Sequence, residues 1–371
     1  MDRWLANELV GPLLFGIAAF TTVSLSVGVV FELVRKVAEA GLPVPAALEV
    51  LVLKLPSFLV LAFPMATLMA TLLSYSSLSG NSELTALRSL GVSTRRLVLP
   101  ALVVATLMSL LTFVFNDVVV PASNLQADLS LDRALGQAIS SQRGDNVLYT
   151  RYGTVTTPEG GSGGGIAQIF FARSFVNEEM QDVTILDFSR LGTRQTLMAP
   201  RGRWNEKKSM WEFFDGRIIS LSDDGSKTVT ANFSRYLYPL DHGPIDVAQL
   251  PRDPAAMTVR QALNAEQLLR KSGDLKEVRR IQVRIQEKFA FPTICLVFGL
   301  IGSSLGVRPN SRTSRGQGFG ISVLLIFGYY LMSFVFSSLG IKGTLLPIFA
   351  AWMPVLIGLT AGLWLLRSAS R

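Results

Sequence analysis

Cysteine and histidine each occur once, at Cys295 and His242. A disulfide needs two thiols, and a His- or Cys-based metal site or a Cys–His nucleophile pair needs more partners than these. Asp223 and Asp224 form a pair of carboxylates, but Gly225 follows them and the run reads as a solvated turn. The glycine run Gly160–Gly165 lacks the Lys of a phosphate-binding loop. It also fails G-x-G-x-x-G, since the third glycine position falls on Ile166 or Gln168, and it reads as a flexible loop. No G-x-x-x-x-G-K-[ST] and no H-E-x-x-H occurs. His242 lies in a polar loop and Cys295 in an apolar stretch, where packing is its role. The groups left with chemistry are cations. Arg35, Lys36 and Lys54 flank long apolar stretches, and Arg133 follows further on. Such cations either bind the phosphates or sugar acids of an anionic lipid or only snorkel to an interface.

The elements that must hold them are membrane spans. The chain has 371 residues, of which 49% are hydrophobic and 17% charged. Soluble chains carry about 25% charge. Uncharged stretches run over Leu9–Phe31, Leu55–Ser82, Leu97–Asn116, Phe289–Val307, Gly316–Ile341 and Gly343–Leu366. Each can supply the ~20 residues that cross a bilayer core. The first is too long for a signal peptide and has no small-x-small site after it, so it reads as an uncleaved anchor. The plan is an α-helical membrane protein of six transmembrane helices, three plus three, around one polar insert.

The net charge of +8 follows this plan. Basic and acidic residues nearly cancel in the insert. One side of the membrane receives Arg3, Arg88, Arg95, Arg96, Arg308, Arg312, Arg315, Arg367 and Arg371. The other side's short segments receive Arg35, Lys36, Lys54 and Lys342. The positive-inside rule places both termini in the cytoplasm and the insert outside it. The basic balance is then a topology signal, and nucleic acid is not needed to explain it.

The insert reads as β. Asn146–Tyr152, Ile166–Phe175, Asp182–Phe188, Trp211–Leu221 and Thr228–Tyr238 are rich in β-branched and aromatic residues. Asp215-Gly216, Asp223–Ser226 and Glu159–Gly165 read as turns between them. This spacing suggests a sandwich or jelly roll over about 143–240, bounded by Pro251 and Pro254. Helical flanks cover Asn124–Ile139 and Thr258–Lys288, the latter with a break at Gly273. The domains are thus 1–121 for spans one to three, 122–284 for the insert and 285–371 for spans four to six.

The second gap holds a short cytoplasmic helix at about 82–90. Asn81 or Ser82 can cap it, Glu83 suits its first turn, and Leu84, Leu87 and Leu90 lie along one side. Gly91 is placed to end it in the left-handed conformation. Ser93 or Thr94 can cap the next span.

These residues carry a resemblance. The three-plus-three plan with a β insert resembles the lipopolysaccharide-export permeases LptF and LptG. Ser82-Glu-Leu-Thr-Ala-Leu-Arg-Ser-Leu-Gly-Val-Ser93 is similar to the family's coupling helix. Glu287-Lys-Phe-Ala-Phe-Pro292 is similar to its entry to the fourth span. Leu305-Gly306, Gly316–Gly320, Tyr329-Tyr330, Leu339-Gly340 and Ala351-Trp-Met-Pro354 are similar to its last three spans. Trp352-Met-Pro-Val355 departs from the family's Trp-x-Pro-Asn form.

The resemblance implies a permease subunit of an ABC exporter, not an enzyme, with no cofactor of its own and ATP bound by a partner. Glu83, Leu84, Leu87 and Arg88 would dock on a cytoplasmic ABC ATPase dimer. Lipopolysaccharide would be drawn from the outer leaflet of the inner membrane past Arg35, Lys36, Lys54 and Arg133. It would then pass through a periplasmic jelly roll to a jelly-roll lipid-transfer protein. A second copy or a paralogue would complete the permease. The competing readings are a mechanotransmission-type ABC permease and a membrane-anchored envelope sensor or scaffold. The former typically has four spans with the insert after the first.

Overall fold

A computed structural model describes residues 2–135, 147–156, 162–176, 179–189, 193–206, 208–222, 227–240, 243–244, 257–272, 275–307 and 315–370. His242, Asp223–Ser226, Pro251, Pro254, Gly273, Arg308 and Arg312 lie outside the described residues, as do parts of the Asn146, Glu159–Gly165 and Ile139 segments. The chain forms two compact units, Met1–Gln137 with Gln282–Arg371, and Ala138–Ile281.

The first unit carries six helices long and apolar enough to cross a membrane. Span one is α1 (Asp2–Leu25), a π-helical turn at Ser26–Val30 and α2 (Phe31–Ala40). Span two is α3 (Val44–Gly80), which stays helical through Pro56 and Pro64. The short α4 (Glu83–Ser89) leads to span three. That span is α5 (Thr94–Val114), a second π turn at Phe115–Val119 and α6 (Val120–Ala134). The other three helices of the unit match the later uncharged stretches. α8 (Leu275–Gly306), α9 (Arg315–Lys342) and α10 (Pro347–Ala369) are spans four to six. They are preceded by α7 (Val259–Ser272), which belongs to the second unit.

Span four is the most enclosed, because small residues let its neighbours approach. A Cβ on Gly302 would lie 2.1 Å from Thr71 Oγ1, and one on Gly306 would lie 2.6 Å from Tyr75 Cβ. The spacing Gly302-x-x-x-Gly306 is the small-residue pattern that brings membrane helices together. The same five residues also satisfy the G-x-S-x-G spacing of hydrolases. Ser304 lies within α8 and is fully buried, not on the strand-to-helix turn that exposes a nucleophile. Val297, Phe298, Ile301, Ile326, Tyr329 and Val355 fill the core between spans four, five and six.

The core of the second unit is a β-sheet. Its six strands are β1 (Val147–Thr156), β2 (Ser162–Val176), β3 (Glu179–Asp187), β4 (Thr193–Asn205), β5 (Met210–Ser222) and β6 (Thr228–Tyr238). Each pairs antiparallel with the next in sequence, in a meander. Part of the glycine run corrects the loop expectation. Gly163, Gly164 and Gly165 are strand residues opposite Val155, Thr154 and Gly153.

A crease crosses five of the strands. Pairing skips Arg173 opposite Asp182, Asp182 opposite Pro200, Pro200 opposite Asp215, and Asp215 opposite Ser234. Asp182 and Asp215 take left-handed backbone there, with φ of 48° and 51°. Asp215-Gly216 therefore lies inside β5, at the crease, and is not the turn expected from its composition. Inward residues normally recur every second position. Across the crease they stand three apart, as in Ala172 and Phe175, Met180 and Val183, or Ala199 and Gly202. One extra residue in each of these five strands keeps the same face inward on both arms of the bent sheet. That face holds Phe170, Ile185, Leu197, Trp211 and Phe213. A groove of about 710 Å³ follows the crease on the outer face, past Phe171, Arg173, Met198 and Arg217.

One polar cluster is sealed into this unit. Gln168 and Tyr238 both donate to Asp187 Oδ2, at 3.2 and 2.5 Å, and Ser189 donates to Oδ1 from its backbone N–H at 2.9 Å. Burial pushes the Asp187 carboxyl up, but these bonds outweigh it and hold it below the usual carboxylate range.

Candidate functional site

Two places on the membrane unit have the geometry of working sites. The first is α4. Its end is a complete Schellman motif: Val92 N–H bonds Leu87 O at 3.2 Å, Gly91 N–H bonds Arg88 O at 2.9 Å, and Gly91 has φ of 83°. Its start differs from expectation. Ser82 is itself left-handed, with φ of 62°, and makes no side-chain cap. Asn81 does not cap either, since its Nδ2 donates to Glu83 Oε1 at 3.2 Å. Ser93 caps span three only through its backbone, and Thr94 Oγ1 turns to Ala369 O at 3.5 Å.

The leucines of α4 also separate. Leu84 is fully buried, Leu87 half-buried and Leu90 79% exposed. A 3.6-residue period carries Leu90 beyond the face that Leu84 begins. Leu84, Leu87 and Val92 pack with Leu5, Leu97, Val307 and Leu366 from four spans. Glu83 is half-buried at the first turn. Arg88 points into the unit, and its Nη2 donates to Val307 O at 3.1 Å and Ala369 O at 3.3 Å.

The second place lies at the opposite end of the spans. α2, α3 and α6 pack there through Leu33, Leu42, Ala47, Val50 and Ala127. All four cations expected to meet lipid sit on these three helices. Two have carboxylate neighbours: Lys36 pairs with Glu32 at 2.8 Å and Lys54 with Asp128 at 3.0 Å. Ser57 to Asn124 at 3.1 Å and Ser130 to Glu49 at 2.7 Å extend the α3–α6 polar seam. Arg35 and Arg133 are exposed.

A cavity of about 330 Å³ opens nearer the insert end of spans four to six, and sequence reasoning missed it. Arg284 and Glu287 stand at it as an ion pair of 2.6 Å, and Phe291, Tyr330, Ser333 and Phe334 line it. Its size lies in the small-ligand range, so it can take part of a lipid. The available signal was an Arg–Glu pair at i, i+3 on the edge of an uncharged stretch. Among the described residues no group of three His, Cys, Asp or Glu could hold a metal ion.

Residues 3–368 match the family model described as lipopolysaccharide export system permease LptF/LptG. This chain belongs to the LptF/LptG family. An uncharacterized protein of Rickettsia prowazekii (strain Madrid E) is 22% identical over 338 residues, covering 88% of each chain. LptF/LptG membership and six spans make the chain a multi-pass membrane permease with a β insert. They support a role like that of a lipopolysaccharide-export permease, within a transporter that works with other components of the export system.

Proposed function

We propose that this chain is the permease subunit of an ATP-driven ABC exporter in the bacterial inner membrane, with both termini cytoplasmic and the β insert periplasmic. The observation that carries this is the family match over 3–368, which takes in α4, all six spans and the sheet. Glu83 and the exposed side of α4 meet a cytoplasmic ATPase dimer, which supplies the nucleotide site this chain has no motif for. A second copy or a paralogue faces the exposed apolar stripe of α9 at Leu324, Phe327, Leu331 and Phe334.

Lipopolysaccharide enters from the outer leaflet. Its phosphates meet exposed Arg35 and Arg133, with Lys36 and Lys54 beside them. Part of its acyl portion enters the cavity below Arg284. ATP-driven movement of α4 then drives the lipid toward the inner face of the sheet and on to a periplasmic jelly-roll protein.

The test is a photo-crosslinking pair in the complete complex. Benzoylphenylalanine replaces Tyr236, which packs on the inner core, or Phe171, which lines the outer groove. The reading expects capture of lipopolysaccharide at Tyr236 only during ATP hydrolysis and none at Phe171. Equal capture without ATP would sink the hand-over route.

A further inference from the structure

Arg88 joins elements that the chain itself does not join. α4 is continuous with spans two and three only. Yet Arg88 Nη2 donates to carbonyls at the ends of spans four and six, Val307 just past α8 and Ala369 at the end of α10. A helix leaves its last carbonyls without intrahelical partners, and its C-terminus carries partial negative charge. One guanidinium nitrogen therefore answers two helix ends at once, with a hydrogen for each.

The setting makes this contact stiff. Arg88 Nε is sealed from solvent, so the inner part of the guanidinium lies within the packed unit. Leu84 and Val307 are each 1% exposed beside it. Thr94, at the start of span three, gives the Ala369 carbonyl a second bond. The Schellman end of α4 fixes the backbone that aims Arg88, through a bond from Gly91 to its own carbonyl.

We propose that Arg88 is a positioning residue that makes α4 and the ends of spans four and six one rigid lever. It rests on the exporter reading above, in which α4 is moved by the ATPase. Movement of α4 along its own chain would reach spans two and three. The Arg88 clamp carries it to spans four and six, which wall the cavity below Arg284. Arg88 then acts inside the permease, while the exposed side of α4 touches the ATPase.

The test uses the intact complex with its ATPase, reconstituted with purified lipopolysaccharide. Arg88→Met keeps an unbranched apolar stem without the donors, and Arg88→Lys keeps one charge without the guanidinium plane. Expected are unchanged co-purification of the ATPase, ATP hydrolysis within about twofold of the parent, and lipid transfer per ATP at least tenfold lower for Met, with partial recovery for Lys. Normal transfer per ATP in Arg88→Met would overturn the proposal. Loss of ATPase binding would also overturn it, since Arg88 would then be a docking residue.

A second measurement needs no change at Arg88. Spin labels at Leu90 and Ser368, both exposed, report the distance between α4 and the end of α10. Native Cys295 is buried and escapes labelling. The clamp predicts one narrow distance through the ATP cycle of the parent and a broadened one in Arg88→Met. A parent distance that changes with nucleotide would refute rigidity. If the parent binds no ATPase and moves no lipid, the exporter reading fails, which is a separate result.

Discussion

Lys288 reaches from the fourth span to the third and donates from Nζ to the carbonyl of Asn116 at 2.9 Å. Asn116 lies in the π turn Phe115–Val119, where the regular helical ladder is interrupted and a carbonyl is open to another donor. Lys288 is 6% exposed, and the Asp117 carboxylate of the same turn attracts it. Buried cations in spans are costly unless partnered in this way. The two residues thus explain each other: the turn supplies the acceptor and the ammonium stabilises the turn.

Replacing Lys288 by Met leaves the Asn116 carbonyl and Asp117 without the ammonium inside the bundle. A buried acceptor left unsatisfied costs about 1–3 kcal/mol. The expected outcome is a lower Tm for the purified protein in detergent with its helix content intact. An unchanged Tm would mean that the π turn needs no donor.

Close approach of spans two and four gives a second test. Gly302→Leu drives side-chain atoms into Thr71 and the Leu68 carbonyl, which a Cβ alone would meet at 2.8 Å. Overpacking typically costs about 1–3 kcal/mol, and backbone contact makes relaxation harder. Gly302→Leu should yield little folded protein, whereas Gly320→Leu, with open space around its Cβ position, should be recovered at parental levels. Comparable size-exclusion profiles for the two would contradict the packing.

The spans were legible in the sequence because a single property, an uncharged apolar run, decides them. The helical continuation of span three was legible too, in Asn124–Ile139, but that of span one to Ala40 was not, since it runs past a π turn into a charged segment. In the sheet, β4 escaped notice altogether. Pro200 and Gly202 break the look of a strand, and the crease shifts the inward positions by one residue. At α4, Gly91 and the leucine spacing located the helix. The inward turn of Arg88 depends on Val307 and Ala369, more than two hundred residues away, so no local pattern could announce it.

Asp187 makes the β unit sensitive to acid. Its folded carboxyl titrates below the usual range, so the unfolded chain binds the proton more readily. The stabilisation is fully present above the ordinary carboxylate pKa and is lost as pH falls through the lowered folded value. Hydrogen exchange of strand amides in the full chain should accelerate across that acid window. Asp187→Asn should remove this part of the pH dependence while lowering protection at neutral pH. A parallel acid response in parent and variant would place the sensitivity elsewhere.

The four cations at the insert end of the spans should not behave alike. Lys54 shares its charge with Asp128, at side-chain exposures of 26% and 37%, and such partly exposed pairs contribute about 0–1 kcal/mol. Lys54→Gln should therefore loosen the contact between α3 and α6, read as faster exchange in α6, with a small effect on bound lipid. Arg35 is exposed on α2, and its planar fork suits a phosphate better than an ammonium does. Arg35→Gln should lower lipopolysaccharide co-purifying with the complex several-fold, and Arg35→Lys should restore only part of it. If Lys54→Gln depletes the lipid as much as Arg35→Gln does, the Asp128 pair opens on binding and Lys54 belongs to the lipid contact. If neither changes lipid content, both residues only anchor the helices at the interface.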